Sequence, residues 1–279
     1  MTTTLRTPVP TLAGAPLTDT LSLLPPVGLA ELNRQAALQT RVDRKYLLRP
    51  AQADLLLRRL DGARALEIDG TRRAAYASTY LDTADLRSYH EAARARRRRF
   101  KVRCRRYLDT GTAYWEVKTR GARGTTVKER VPAAGLTPGE RAGFVTAALD
   151  RAGIGEVDVS ALQPVLETRY DRATVYLPQD GARVTLDTGL TWALPGDPAS
   201  APIDLVVVET KSGIAACTAD RLLWRAGVRP VRLSKYGTGL AALRDDLPSN
   251  RWHAVLRRHD LSPSSPCVPS PSAERTSSP

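Results

Sequence analysis

The sequence predicts an α+β fold in which an antiparallel sheet rolls into a barrel with a basic interior and helices packed outside. Three observations carry this expectation. Strand-like segments alternate charged and apolar residues, and successive side chains of a strand point to opposite faces. The charged faces repeat Arg and Lys on neighbouring strands, where like charges repel unless an anion lies between them. The 279-residue chain carries 42 Lys and Arg against 29 Asp and Glu, a formal charge of +13 that must attract a polyanion to some surface or cavity.

Taken in order, residues 1–30 are rich in Thr, Pro and Ala without periodicity, and 260–279 are Ser/Pro-rich, so both are expected to be disordered. One continuous domain is expected over 31–259, with no internal repeat. Helices are expected at 29–39 and at 50–61, where Pro50 opens the helix and Leu55, Leu56, Leu57 and Leu60 form its apolar side. Two more are expected at 138–152 and 215–226.

The remainder reads mostly as strands. In RVDRKY, Arg41, Asp43 and Lys45 share a face, and in RRFKVRCRRY, Arg99, Lys101, Arg103 and Arg105 oppose Phe100, Val102 and Cys104. YWEVKTR sets Glu116, Lys118 and Arg120 against Trp115 and Val117, and VKERV sets Lys128 and Arg130 against Val127, Glu129 and Val131. LETRYDRATVYL is less regular, because Arg169 and Arg172 differ in parity. RVTLDT groups Arg183, Thr185 and Asp187, and LVVVETK groups Glu209 and Lys211. A sheet with one wet face gives similar alternation, but such a face ordinarily mixes charge signs. Closure with the charged faces inward makes a basic tunnel instead.

Several functional classes are disfavoured. No apolar run approaches the roughly 18 residues of a membrane span, and the N-terminus lacks a basic start followed by an apolar stretch, so a cytoplasmic protein is expected. Three cysteines without a CxxC pair and only three histidines argue against a disulfide framework, a thiolate zinc site or a His-dependent triad. Catalysis would then rest on carboxylates, cations and a hard metal bound through oxygen.

Inward Arg and Lys suit phosphate, guanidinium through forked hydrogen bonds and ammonium as a point charge. Carboxylates among them, Asp43, Glu116, Asp187 and Glu209, would either pair with adjacent cations such as Lys45 and Lys211 or join a divalent metal to phosphate oxygens. The run Arg94–Arg99 reads as a solvated turn entering a strand, with nucleic-acid binding as the runner-up. RGARGT at 120–125 and SKYGTG at 234–239 match neither phosphate-binding glycine fingerprint and are expected to be hairpin turns.

In order, RVDRKYLL, STYLDTADL, FKVRCRRY, YWEVKTR, VKERV, ETRYDRATVYL, RVTLDTGL, VVVETKS and RLSKYGTGL resemble the VTC domain. That domain is the catalytic part of the vacuolar transporter chaperone polyphosphate polymerase, within the CYTH-like triphosphate tunnel metalloenzyme superfamily. The resemblance spans about residues 38–244. It implies an eight-stranded antiparallel β tunnel with helices outside, and ATP-dependent synthesis of inorganic polyphosphate with Mn²⁺ or Mg²⁺.

By this resemblance Lys45, Arg103, Arg105, Lys118, Arg172 and Arg183 are expected catalytic, triphosphate-binding residues. Lys101, Lys128, Tyr170, Arg232, Ser234 and Lys235 are expected to bind the substrate chain. Glu209, with Asp43, is the expected metal ligand. A Tyr-x-Arg step selects Arg172 over Arg169 as the inward arginine. The superfamily's opening ExExK is replaced by Arg41, Asp43 and Lys45, which thins the acidic set and weakens a hydrolase reading. Eukaryotic members carry a regulatory domain and membrane helices, neither evident in this sequence, so translocation would need a separate membrane partner. A tunnel triphosphatase and a non-catalytic polyphosphate or nucleic-acid binder are the alternative readings.

Overall fold

The computed structural model describes residues 15–35, 42–121, 125–197 and 201–261. The chain begins with α1 (Ala15–Leu23), β1 (Pro26–Val27), α2 (Leu29–Gln35), β2 (Val42–Leu48), α3 (Pro50–Arg58), β3 (Arg64–Leu66), β4 (Arg73–Asp82) and α4 (Arg87–Ala93). There follow β5 (Phe100–Tyr107), β6 (Ala113–Arg120), β7 (Thr126–Pro132), α5 (Pro138–Arg151), β8 (Gln163–Leu177) and β9 (Ala182–Ala193). The last elements are β10 (Ala201–Pro202), β11 (Val206–Ser212), α6 (Thr218–Arg225), α7 (Lys235–Leu243) and α8 (His253–His259).

Eight strands form one antiparallel path in the order β2-β11-β9-β8-β4-β5-β6-β7, with β1, β3 and β10 as short additions. The strand number meets the expectation, but the barrel does not close: among the described residues β2 and β7 do not pair with each other. Alternation dictates which side chains face inward; pairing of the end strands is a separate matter of backbone hydrogen bonding. The sheet is nevertheless rolled. Five strand spacings separate β2 from β5, about 24 Å on a flat sheet, yet Lys101 on β5 feels the charge of Lys45 on β2. Lys118 on β6 likewise feels Glu209 on β11.

Apolar side chains of the convex face hold the outer helices. Tyr46, Leu48, Val175, Val184, Leu186, Val206 and Val208 pack with residues of α1, α3 and α6. Phe100, Val102 and Val117 pack with Val145 and Leu149 of α5. The capping box of Thr137 and Glu140 starts α5, and Pro138 suits its first turn.

Not every helix lies outside. Leu47, Tyr80, Tyr170, Trp192 and Val207 from the charged, concave face cluster with Tyr89 of α4, Tyr236 and Leu240 of α7, and Val255 and Leu256 of α8. These three helices cover one end of the trough. The SKYGTG stretch is therefore the start of α7 and not a hairpin turn. Its glycines serve close approach: a Cβ at Gly237 would lie 2.1 Å from Trp252, and one at Gly239 would lie 2.5 Å from Trp192.

Part of the expected N-terminal disorder is also corrected. Residues 15–23 form α1, whose Leu17 and Leu21 are buried against α3, because two leucines four apart make an apolar stripe. Residues 1–14 and 262–279, and the end of the helix expected over 29–39, lie outside the described residues. Arg94–Arg99 forms the exposed turn between α4 and β5, and β6 and β7 form the expected hairpin.

Candidate functional site: a basic trough with paired carboxylates

Three buried carboxylates organise the concave face, and cross-strand register brings each to its cations. Glu209 on β11 lies opposite Lys45 on β2 and is ion-paired to it, with Lys211 Nζ 3.0 Å from its other oxygen. Asp187 on β9 lies opposite Arg172 on β8; the guanidinium donates from Nε at 2.6 Å and Nη2 at 2.8 Å, and Lys235 of α7 pairs with the same carboxylate. Glu116 on β6 faces Arg103 on β5, whose Nε donates at 2.7 Å, while Lys128 from β7 approaches at 2.5 Å.

The face remains strongly cationic. Nine of its cations, Lys45, Lys101, Arg103, Arg105, Lys118, Lys128, Arg172, Lys211 and Lys235, stand against Asp43, Glu116, Asp187 and Glu209, a formal excess of 9 − 4 = +5 before Arg130 and Arg183 on the same face are added. Lys101, Lys118 and Lys128 are direct neighbours across β5, β6 and β7. Burial, with the charges of Lys45, Arg103 and Arg99, pushes Lys101 down to about 7. Arg103, burial and Arg105 hold Lys118 well below the usual lysine range.

The acids respond in the opposite sense. Burial by itself would raise all three, but the cations outweigh it: Glu116 falls to about 2 beside Arg103, Arg105 and Lys128, and Asp187 to about 2 beside Arg172 and Lys235. Glu209 is likewise held well below the carboxylate range by Lys45, Lys211 and Arg172. Depressed lysines and fully ionised acids are what an excess of buried positive charge produces, and a polyanion relieves it. Three buried hydroxyls of this face, those of Thr168, Tyr170 and Thr185, have no hydrogen-bond partner in the structure. Buried polar groups ordinarily find one, so these three are hydrogen-bonding capacity on this face that the protein's own groups leave unused.

Most residues expected from the sequence converge. Lys101 Nζ donates to Ser234 Oγ at 2.8 Å, and that oxygen also caps α7 by accepting from the Gly237 amide at 3.0 Å. Lys235 sits 4.4 Å from the Tyr170 ring centroid. Arg172 points inward as expected while Arg169 is exposed. Arg105 lies over the Tyr76 ring at 5.3 Å. Three residues stand apart from the central cluster. Arg183 donates to the Leu32 carbonyl at 2.9 Å and to Asn33 Oδ1 at 3.2 Å on α2. Arg232 is exposed at the α7 end, close enough to Arg251 to lower its pKa, after burial, together with Arg120. Asp43 is exposed, 3.8 Å from Lys211. Arg41 lies outside the described residues.

Glu116 and Asp187, candidates from the sequence for a metal or for pairing with cations, are paired with cations in the structure, and Lys211, which the family resemblance does not single out, pairs with Glu209. Their parity was visible, but the partner of each is set by register. The assignment of site residues from sequence omitted Tyr80, whose hydroxyl accepts from Arg103 at 3.1 Å, and Asp82, which accepts amide hydrogen bonds at the start of α4 and the hydroxyl of Tyr236. Asp82 thereby ties α7 to the sheet.

Among the described residues, no group of three or more His, Cys, Asp or Glu is arranged to hold a metal by itself. Mg²⁺ and Mn²⁺ need not have one, since such ions commonly take one or two carboxylates and complete their shell with water and substrate phosphate. The donor set fits that type of site: Glu209 is an oxygen ligand on the inner face, and the unpartnered hydroxyl of Thr185 lies directly across from it.

The VTC domain family matches residues 40–152 and 153–244. The chain belongs to the VTC domain family. Its members of this kind use divalent metal ions, in keeping with an all-oxygen site. No protein of curated function matches the sequence. Among solved structures, the VTC domain is similar to a proposed adenylate cyclase from Bacillus halodurans, at 14% identity and TM-score 0.46, over 70% of this chain and 94% of that one. It is also similar to HpAC1 from Hippeastrum, a proposed adenylyl cyclase with a dominant triphosphatase activity, at 14% identity and TM-score 0.46, over 72% and 96% of the two chains. A proposed adenylate cyclase from Vibrio parahaemolyticus matches at 14% identity and TM-score 0.42, over 73% and 99%. Among the described residues no helix is long and apolar enough to cross a membrane.

Proposed function

We propose that this VTC domain is a polyphosphate polymerase that transfers the γ-phosphate of ATP onto a growing inorganic polyphosphate chain, in the presence of Mn²⁺ or Mg²⁺. The observation that carries the reading is the row Lys101, Lys118 and Lys128 beside three cation-bracketed acids: a trough with too much positive charge for its own carboxylates is built for a chain of phosphates. Membership of the VTC family supports this choice of reaction.

In the reaction, a terminal phosphate oxygen of the chain forms a bond to the γ-phosphorus. The bond from that phosphorus to the β,γ-bridging oxygen breaks, and ADP leaves with the electron pair. The attacking oxygen is already anionic at neutral pH, so no general base is required. Catalysis is positioning and charge stabilisation. Arg103, Arg105 and Arg172 offer guanidinium forks to equatorial phosphate oxygens. Lys45, Lys118 and Lys235 supply point charges, and Lys101 with Ser234 receives phosphate at the α7 end. Lys128 is the most exposed lysine of its row, while Arg183, beside α2, and Arg232, at the α7 end, would meet anion outside the central cluster. Glu209, assisted by Asp43, would hold the metal, whose chemistry is to neutralise charge on phosphate oxygens.

Incubating purified protein with ATP and Mn²⁺ or Mg²⁺, with Glu209→Ala as control, tests the reading. Polymer with stoichiometric ADP, lost in the variant, is the expected result. Orthophosphate without polymer would make the protein a tunnel triphosphatase, and binding without turnover would make it a polyanion-binding domain.

A further inference from the structure

The concave face carries a feature that phosphate binding leaves unexplained: a ladder of tyrosines running from its centre to the end opposite α7. Tyr170 stacks on Tyr76 with ring centroids 5.2 Å apart and planes 9° apart. Tyr76 meets Tyr107 at 4.9 Å and 56°, and Tyr107 meets Tyr114 edge-on at 5.9 Å and 77°. Guanidinium groups line it: Arg172 is 5.3 Å from the Tyr170 centroid, Arg105 is 5.3 Å from Tyr76, and Arg130 is 4.9 Å from Tyr114.

Tyr107 and Tyr114 are the unusual members. Their parity puts them on the charged face, they are half-buried, and neither joins any of the buried apolar clusters of the described residues. Two aromatic rings are thus held by neighbouring rings and guanidinium groups at the open end of a phosphate-binding trough, outside the core.

We propose that Tyr107 and Tyr114 seat the base of a nucleoside triphosphate whose phosphates reach inward to Arg105, Arg103 and Lys118. This rests on the triphosphate-binding reading above and adds the orientation of the nucleotide to it. Tyr107 lies four residues along β5 from Arg103, about 13 Å at strand rise, a span that a ribose and a triphosphate bridge. Arg105 lies between them and directly opposite Tyr114, so base and phosphate contacts form one continuous track. With the base outside and α7 at the far end, the γ-phosphate points toward Lys101, Ser234 and Lys235. Stacking uses the π-face that every base has and is tolerant of base identity, so ring size decides the preference and purine nucleotides bind more tightly than pyrimidine ones.

Titration calorimetry of the full chain with ATP and with inorganic tripolyphosphate, both in chelator to exclude metal, tests the assignment. Tyr107→Ala is expected to weaken ATP binding about tenfold while changing tripolyphosphate binding by less than about twofold, and Tyr107→Phe to leave both intact. Tyr114→Ala, nearer the rim, is expected to act in the same direction if Tyr107→Ala does not fold, and ATP against CTP on the unaltered protein needs no variant. Parallel loss of both ligands, unchanged ATP binding in the alanine variants, or equal affinity for ATP and CTP would overturn the base site while leaving the triphosphate site standing. Failure of the unaltered protein to bind tripolyphosphate would overturn both.

Discussion

Replacing Asp187 by Asn removes the carboxylate that Arg172 and Lys235 share, and the structure indicates how large the effect should be. Asp187 is 1% exposed, receives two hydrogen bonds from Arg172 and pairs with Lys235. Removing one member of a buried ion pair costs about 3–5 kcal/mol because the remaining charge is left uncompensated. Asn keeps an acceptor for one guanidinium bond, which places the loss near the lower figure. At roughly 2–4 °C per kcal/mol for a chain of this size, a loss of about 3 kcal/mol lowers Tm by about 6–12 °C. The same change exposes two cations to a phosphate ligand without a competing carboxylate. Tripolyphosphate, bound to the native state alone, should therefore raise Tm of the variant more than that of the unaltered protein. Thermal unfolding with and without tripolyphosphate, in chelator, measures both effects. An unchanged Tm would show that Asp187 does not hold these cations, and a smaller ligand-induced rise would show that it assists the ligand instead of competing with it.

Glu209→Ala should abolish metal-dependent turnover while retaining anion binding, because Lys45 and Lys211 remain; equal activity in variant and parent would remove Glu209 from the metal site. Arg103→Ala should weaken tripolyphosphate binding by about 10–100-fold, the range for a charge-assisted hydrogen bond of ~1.5–3 kcal/mol, read by calorimetry. Lys101 titrates near 7 in the unliganded protein, and a bound polyanion favours its charged form, so binding above pH 7 takes up protons and weakens as pH rises. Calorimetry at pH 8 in buffers of different ionisation enthalpy should show that uptake reduced in Lys101→Met, and identical uptake would exclude Lys101 as its source. Gly237→Ala places a Cβ 2.1 Å from Trp252 and should cost about 1–3 kcal/mol through overpacking, read as a lowered Tm.

Much of the site was legible because strand alternation is a local property. The parity of Lys101, Arg103 and Arg105, of Glu116 and Lys118, of Arg183 and Asp187, and of Glu209 and Lys211 assigns each group to one face of its own strand without reference to any other segment. The family match at 40–152 and 153–244 agrees with the order of motifs read from the chain. Less accessible were features that join segments distant in sequence. SKYGTG has the composition of a turn, yet its glycines are spent on contact with Trp192 and Trp252, one from β9 and one from the segment before α8. Leu17 and Leu21 sit in a stretch whose composition reads as disorder, and they become a helix stripe only where α3 provides a surface to cover.

The sequence by itself determined the charged strand faces and their excess of cations, and so pointed to a polyanionic ligand, since these follow from residue type and a two-residue period. Tertiary structure decided which acid neutralises which cation, that the end strands β2 and β7 stay unpaired among the described residues, and that α7 lies on the concave side bringing Lys235 to Asp187. Those outcomes depend on register, curvature and packing between residues far apart in the chain, and local periodicity carries no information about them.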